Sequence, residues 1–155
     1  MKLKDIALES WAIRWPHVRL DQFDEVKDSH GDTRSDSLNN MDDYAMDMFE
    51  RMVRYAYDNL GWKHIINSGY REGDKGRHGE GIAIDVVFYR KKPGDIPVLE
   101  QWSMALRFNW GGIGFYPFWN TPGLHVDMRT VSVRAMWYRA KDGTMGQVSE
   151  YFASL

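Results

Sequence analysis

His78 and Asp85 lie seven positions apart, and His125 and Asp127 stand two apart some forty positions further on. Imidazole and carboxylate are the side chains that hold zinc when thiols are absent, and this chain has no cysteine. A catalytic zinc takes three protein ligands and keeps a fourth position for water. His78, Asp85 and His125 therefore form a candidate His₂Asp metal set. Asp127, at i+2 from His125 on a strand, shares its face. It is a candidate general base for a bound water, and equally an orienting partner for a ligand imidazole. Glu80 is a third candidate base, on a loop where it reads equally well as solvated. Taken singly, His78 is an ordinary loop histidine, and His125-Val126-Asp127 is the exposed face of an edge strand. Asp85 is harder to place so simply. A carboxylate between Ile84 and Val86 faces either solvent or a partner.

These residues need elements to carry them. Residues 76–81 contain three glycines, and Gly79 and Gly81 let the chain bend so that His78 folds back over the strand bearing Asp85. Residues 72–81 read as a mobile surface loop, feeding a strand over 82–89. A helix is expected from Met41 to Leu60, with Asn39 or Asn40 as cap and Gly61 as its stop. Its apolar stripe is Met41, Ala45, Met48, Met52, Ala56 and Leu60. Lys63 to Asn67 reads as a short strand, and Val98 to Phe108 has helical spacing. A strand or bend is expected over Gly111–Pro117, and further strands over Leu124–Arg129 and Val131–Arg139. Asp142-Gly143 marks a turn before a polar tail. Residues 1–40 read as an arm and polar loop in which Trp11 and Trp15 pack together, and His30 is a solvated loop histidine rather than a ligand. Residues 41–155 carry the site. The whole is expected to be one compact α+β domain with a central antiparallel sheet packed by helices.

Composition narrows the classes. The 155 residues are 43% hydrophobic and 14% aromatic, enough for a core. The net charge of −2 gives no basic field for nucleic acid. No apolar run approaches a membrane span, and Met1 to Pro16 lacks the apolar core of a signal peptide. The chain reads as a soluble monomer made in the cytoplasm without an export signal.

The motifs fall in a telling order: Ser68-Gly69-Tyr70-Arg71, then His78-x-x-Gly81-x-Ala83-x-Asp85, then Gly112-Ile113-Gly114-x-Tyr116-Pro117, then His125-Val126-Asp127-x-Arg129 with Trp137 beyond. Over about residues 41–139 this resembles the D-Ala-D-Ala carboxypeptidase family of zinc peptidases, especially its short phage and bacterial members. The resemblance implies a hedgehog-type α+β fold and a catalytic Zn²⁺ on His78, Asp85 and His125. It implies a peptidoglycan peptide substrate, cut as a carboxypeptidase or an endopeptidase. Arg71 would meet the substrate's carboxylate or carbonyl, and is equally suited to a salt bridge with Glu72 or Asp74. Tyr116 either lines the cleft or packs. The chain departs from the family pattern at Gly76, where a serine is usual. It departs again at Pro122 and Gly123, where related branches place the catalytic carboxylate or histidine. A lysis enzyme or virion component fits the expected lack of an export signal. A module that keeps the metal fold but only binds cell wall, or serves as a virion structural part, is the alternative.

Overall fold

The computed structural model describes residues 1–23 and 38–155. The polar stretch that includes His30 falls outside them. Helix α1 (Leu8–Arg14) precedes the long helix α2 (Asp43–Leu60). Strands β1 (Lys63–Ser68) and β2 (Ala83–Tyr89) follow, then helix α3 (Val98–Ala105). The chain closes with β3 (Gly112–Tyr116), β4 (Gly123–Asp127), β5 (Ala135–Arg139), β6 (Met145–Gly146) and helix α4 (Val148–Ala153).

Helix α2 starts two residues later than its pattern suggests. The cap is the Asp42 carboxylate, which accepts from the Tyr44 amide at 3.0 Å, and Gly61 ends the helix in a left-handed turn. Its buried stripe is Ala45, Met46, Phe49, Met52, Val53 and Ala56, whereas Leu60 is exposed. The acidic edge of α2 receives the N-terminal segment. Asp47 accepts from the Arg14 guanidinium and from Trp15 Nε1, and Glu50 accepts from the His17 amide. Leu3, Trp11, Trp15 and Val18 join the same core as α2 and the sheet.

The six strands run in the order β1-β2-β4-β3-β5-β6. The expected antiparallel sheet is corrected at one place: β5 runs parallel to β3, so the sheet is mixed. The reason is local. β4 ends beside the start of β3, at the Gly112–Asp127 pair, and residues 128–134 step round that end to begin β5 alongside Gly112. Arg134 fastens the step by donating to the carbonyls of Leu106, Phe108 and Trp110.

Period-two alternation divides the central strands between two faces. Ile84, Val86 and Phe88, Ile113 and Phe115, and Leu124 and Val126 point into the core. The opposite face carries Asp85 and Val87, Gly112, Gly114 and Tyr116, and Gly123, His125 and Asp127. This face bears the candidate site residues Asp85, His125 and Asp127.

Candidate metal centre

One row across the sheet places Ser68, Asp85, His125, Gly114 and Trp137 side by side on β1, β2, β4, β3 and β5. Asp85 and His125 are direct cross-strand neighbours, and His125 Nδ1 lies 2.9 Å from Asp85 Oδ1. His78 enters from the loop. Its Nε2 is 3.2 Å from Asp85 Oδ1 and 3.2 Å from His125 Nδ1. The three atoms form a small triangle, and all three residues are buried. The loop was expected to be mobile and exposed, yet His78 is only 3% exposed. It is pinned because the Arg71 amide donates to the His78 carbonyl and the Asp42 amide to the Gly81 carbonyl. Gly81 has φ +72, the left-handed region that the bend needs. Gly79 serves differently: a Cβ there would fall inside the Asp74 carbonyl.

Each imidazole is oriented by a partner on its far side. His78 Nδ1 donates to the Gly69 carbonyl at 2.6 Å, leaving the Nε2 lone pair for the triangle. His125 Nε2 donates to Asp127 Oδ2 at 3.0 Å, leaving Nδ1 for the triangle. These proton positions are assigned from the partners. Two lone pairs and a carboxylate oxygen thus converge at hydrogen-bond distance. Such an arrangement repels itself unless a cation or a proton sits within it. The group can hold a metal ion. In the metal-free chain a proton relieves the repulsion. Burial pulls His125 down, but the Asp127 and Asp85 carboxylates outweigh it and raise the imidazole to about 8. Burial likewise pushes Asp85 up, and the charge and hydrogen bonds of His78 and His125 win, leaving it ionised well below the usual carboxylate range.

Asp127, the first candidate base, lies behind His125 rather than beside the triangle. It is fully buried, and both oxygens are engaged. Oδ1 accepts from the Arg129 amide and Nε, and Oδ2 accepts from Arg129 Nη2 at 2.6 Å as well as from His125. Burial alone would raise its pKa, but the Arg129 and His125 hydrogen bonds hold it far below normal. That geometry is of an orienting carboxylate. Glu80 turns to Arg77, 2.9 Å away, and does not line the cleft. Pro122 and Gly123 bring no acid or base. Gly123 lies against Val86 and Trp119, and the Pro122 carbonyl accepts from Gln101.

The triangle opens on a cleft of about 810 Å³, within the range of small-ligand sites. Arg71 lines it and also faces Asp74, with Nη2 3.2 Å from the carboxylate. Its Nε is buried without a hydrogen-bond partner, as are Ser68 Oγ and Trp137 Nε1. Tyr116 lines the cleft too, edge-on to Trp119 at 4.3 Å. Burial and the Asp85 charge raise its pKa, so it stays a phenol able to donate. The Gly69 carbonyl, the Arg129 clamp and the cleft walls at Trp119 and Arg139 had no role in the sequence reading. The alternation signal was available for Arg139, which follows Trp137 by two.

Compared with models of known protein families, with curated proteins and with solved structures, the chain matches none. No helix among the described residues is long and apolar enough to cross a membrane.

Proposed function

We propose that the protein is a zinc-dependent peptidase that hydrolyses amide bonds in peptidoglycan stem peptides. The observation that carries this reading is the triangle of His78 Nε2, Asp85 Oδ1 and His125 Nδ1 at the floor of an open cleft. Tetrahedral zinc with bonds near 2.0–2.1 Å needs ligand atoms roughly 3.3 Å apart. The edges here are 2.9 to 3.2 Å. Two imidazoles and one carboxylate with no thiol suit a borderline cation, and three ligands facing a cleft match a catalytic rather than a structural site. Bound zinc supplies Lewis-acid polarisation of a carbonyl and a water that ionises near neutral pH. The order of the four motifs, which resembles the D-Ala-D-Ala carboxypeptidases, supports the peptidoglycan substrate.

The chain's own residues have distinct parts. Asp127 and the Gly69 carbonyl hold the two imidazoles in the ligand tautomer. Arg71, which lines the cleft, offers its guanidinium to the substrate's terminal carboxylate or to the oxygen that gains charge. Tyr116 donates a hydrogen bond from the opposite wall of the cleft.

One observation favours a second reading. Besides Asp85, the only carboxylate lining the cleft among the described residues is Asp74. It is held by Arg71 and by the Gly76 amide. A wall-binding or virion structural module that keeps the metal and lacks a base would look the same. Digestion of purified peptidoglycan separates the two. Zinc-loaded protein should release free D-alanine or new stem-peptide termini, and His78→Ala should release none. Zinc-loaded wild type that sediments with peptidoglycan but frees no product would establish the binding module instead.

A further inference from the structure

We propose that Arg139, with Lys141, forms an anion subsite on the β5 side of the cleft, so that the preferred ligand is an acidic peptide with a carboxylate on each side of the metal triangle. The identity of the bond cut rests on the peptidase reading above, but the subsite itself does not.

Charge is unevenly placed. The chain carries −2 overall, yet its cleft is lined by six cationic side chains and two carboxylates. Three of the six are already matched: Arg71 faces Asp74, Arg77 faces Glu80 and Arg129 faces Asp127. Lys75, Arg139 and Lys141 have no carboxylate within 4.0 Å among the described residues. Solvated lysines are common and carry little weight alone. Arg139 is different because its guanidinium is fixed. Nη1 donates to the Gly143 carbonyl at 2.6 Å, and the guanidinium lies over the Tyr116 ring, 5.4 Å from its centroid. A guanidinium held by a backbone carbonyl and by the Tyr116 side chain is preorganised to present an N–H edge to a carboxylate.

Its position gives the ligand a length. In the strand order, Arg71 follows β1 and Arg139 sits on β5, with the strands of Asp85 and His125 between them. β4 and β5 are separated by two strand spacings, roughly 10 Å. An extended peptide advances about 3.3 Å per residue, so two or three residues reach from the triangle to Arg139, less what its side chain spans. Trp137 and Trp119 line the same cleft. A ligand with one carboxylate at Arg71 and a second two to three residues beyond the triangle on the β5 side would meet both cations at once.

The test uses acetylated D-alanyl tripeptides with a free terminal carboxylate and either glutamate or glutamine at the first position, added to the zinc-loaded full chain. Affinity is read as KM if the peptides are cut, and as Kd from tryptophan fluorescence if they are not. The wild type should favour the glutamate peptide at least tenfold. Arg139→Gln should bring the two within twofold, Arg139→Lys should keep part of the preference, and added salt should narrow it. Arg139 also supports the Gly143 carbonyl, so Lys141→Gln, which touches no backbone group, is the second variant and should weaken the glutamate peptide alone. Equal affinity of the wild type for both peptides, or binding of neither at millimolar concentration, overturns the subsite even if peptidoglycan is cleaved. A preference lost in Arg139→Gln, with no peptide cut, leaves the subsite standing and removes the peptidase.

Discussion

Asp127 shows how much can turn on which nitrogen of a histidine is used. His125 presents Nδ1 to the triangle, so its Nε2 faces Asp127, and the carboxylate orients the ring from behind. Had Nε2 been the ligand atom, the same residue spacing would have served a different role. Asp127→Asn should therefore weaken zinc binding by about 10- to 100-fold, measured by competition with a chromophoric chelator. Unchanged affinity with a lowered kcat would instead mark Asp127 as a base. The grouping of His78, Asp85 and His125 was legible from Asp85's place in an apolar strand together with the order of the motifs, whereas each histidine taken singly reads as an ordinary loop or strand residue. The partner of His78 was not legible. It is a backbone carbonyl, at Gly69, and backbone groups carry no signature in residue type. The exposure expected of His78 also differed, since its loop is held by the Arg71 amide at its start and by the Asp42 amide, which is far from it in sequence.

At the scale of elements, the Gly112-Ile113-Gly114 strand is a space-making device. A Cβ at Gly112 would sit 2.6 Å from Asp127 Oδ2, and one at Gly114 would fall within the Trp137 indole. The two glycines leave room for the Asp127–Arg129 pair and the Trp137 indole on the face that carries Asp85 and His125. Gly114→Ala should cost about 1–3 kcal/mol through overpacking, read from the urea midpoint, with a shift in tryptophan fluorescence as the Trp137 ring moves. The strands were visible in the alternation of Ile84, Val86 and Phe88 against Asp85. The direction of β5 was not, because alternation has no polarity and the deciding contacts come from Arg134. Arg134→Met, which strips three carbonyls of a charged donor, should destabilise the fold by on the order of 2 kcal/mol and expose β5 amides to hydrogen exchange first.

For the whole molecule, the core is sensitive to acid through His64. It is buried between the N-terminal segment and the sheet, edge-on to Phe49, and its Nε2 accepts from the Arg19 amide. Burial, helped by the Arg19 charge and opposed by Asp21, lowers its pKa from 6.5 to about 4. The folded state thus resists a proton that the unfolded state accepts. This stability is whole above pH 6.5 and is lost as pH falls towards 4, by roughly 3 kcal/mol. In chelator, His64→Gln should lose less Tm than wild type between pH 6.5 and 4; parallel curves would show that His64 does not carry the effect. Metal acts on the same scale. The triangle ties β2, β4 and the 69–82 loop together, so free zinc at a thousand times its Kd should stabilise the fold by about 4 kcal/mol. The proposed function rests on a metal at this triangle. The most direct measurement is the metal content of untagged protein, wild type beside His78→Ala. One equivalent of zinc in wild type and almost none in the variant is the expected result. Wild type that stays folded and binds no zinc when supplied with it would contradict the account at its centre.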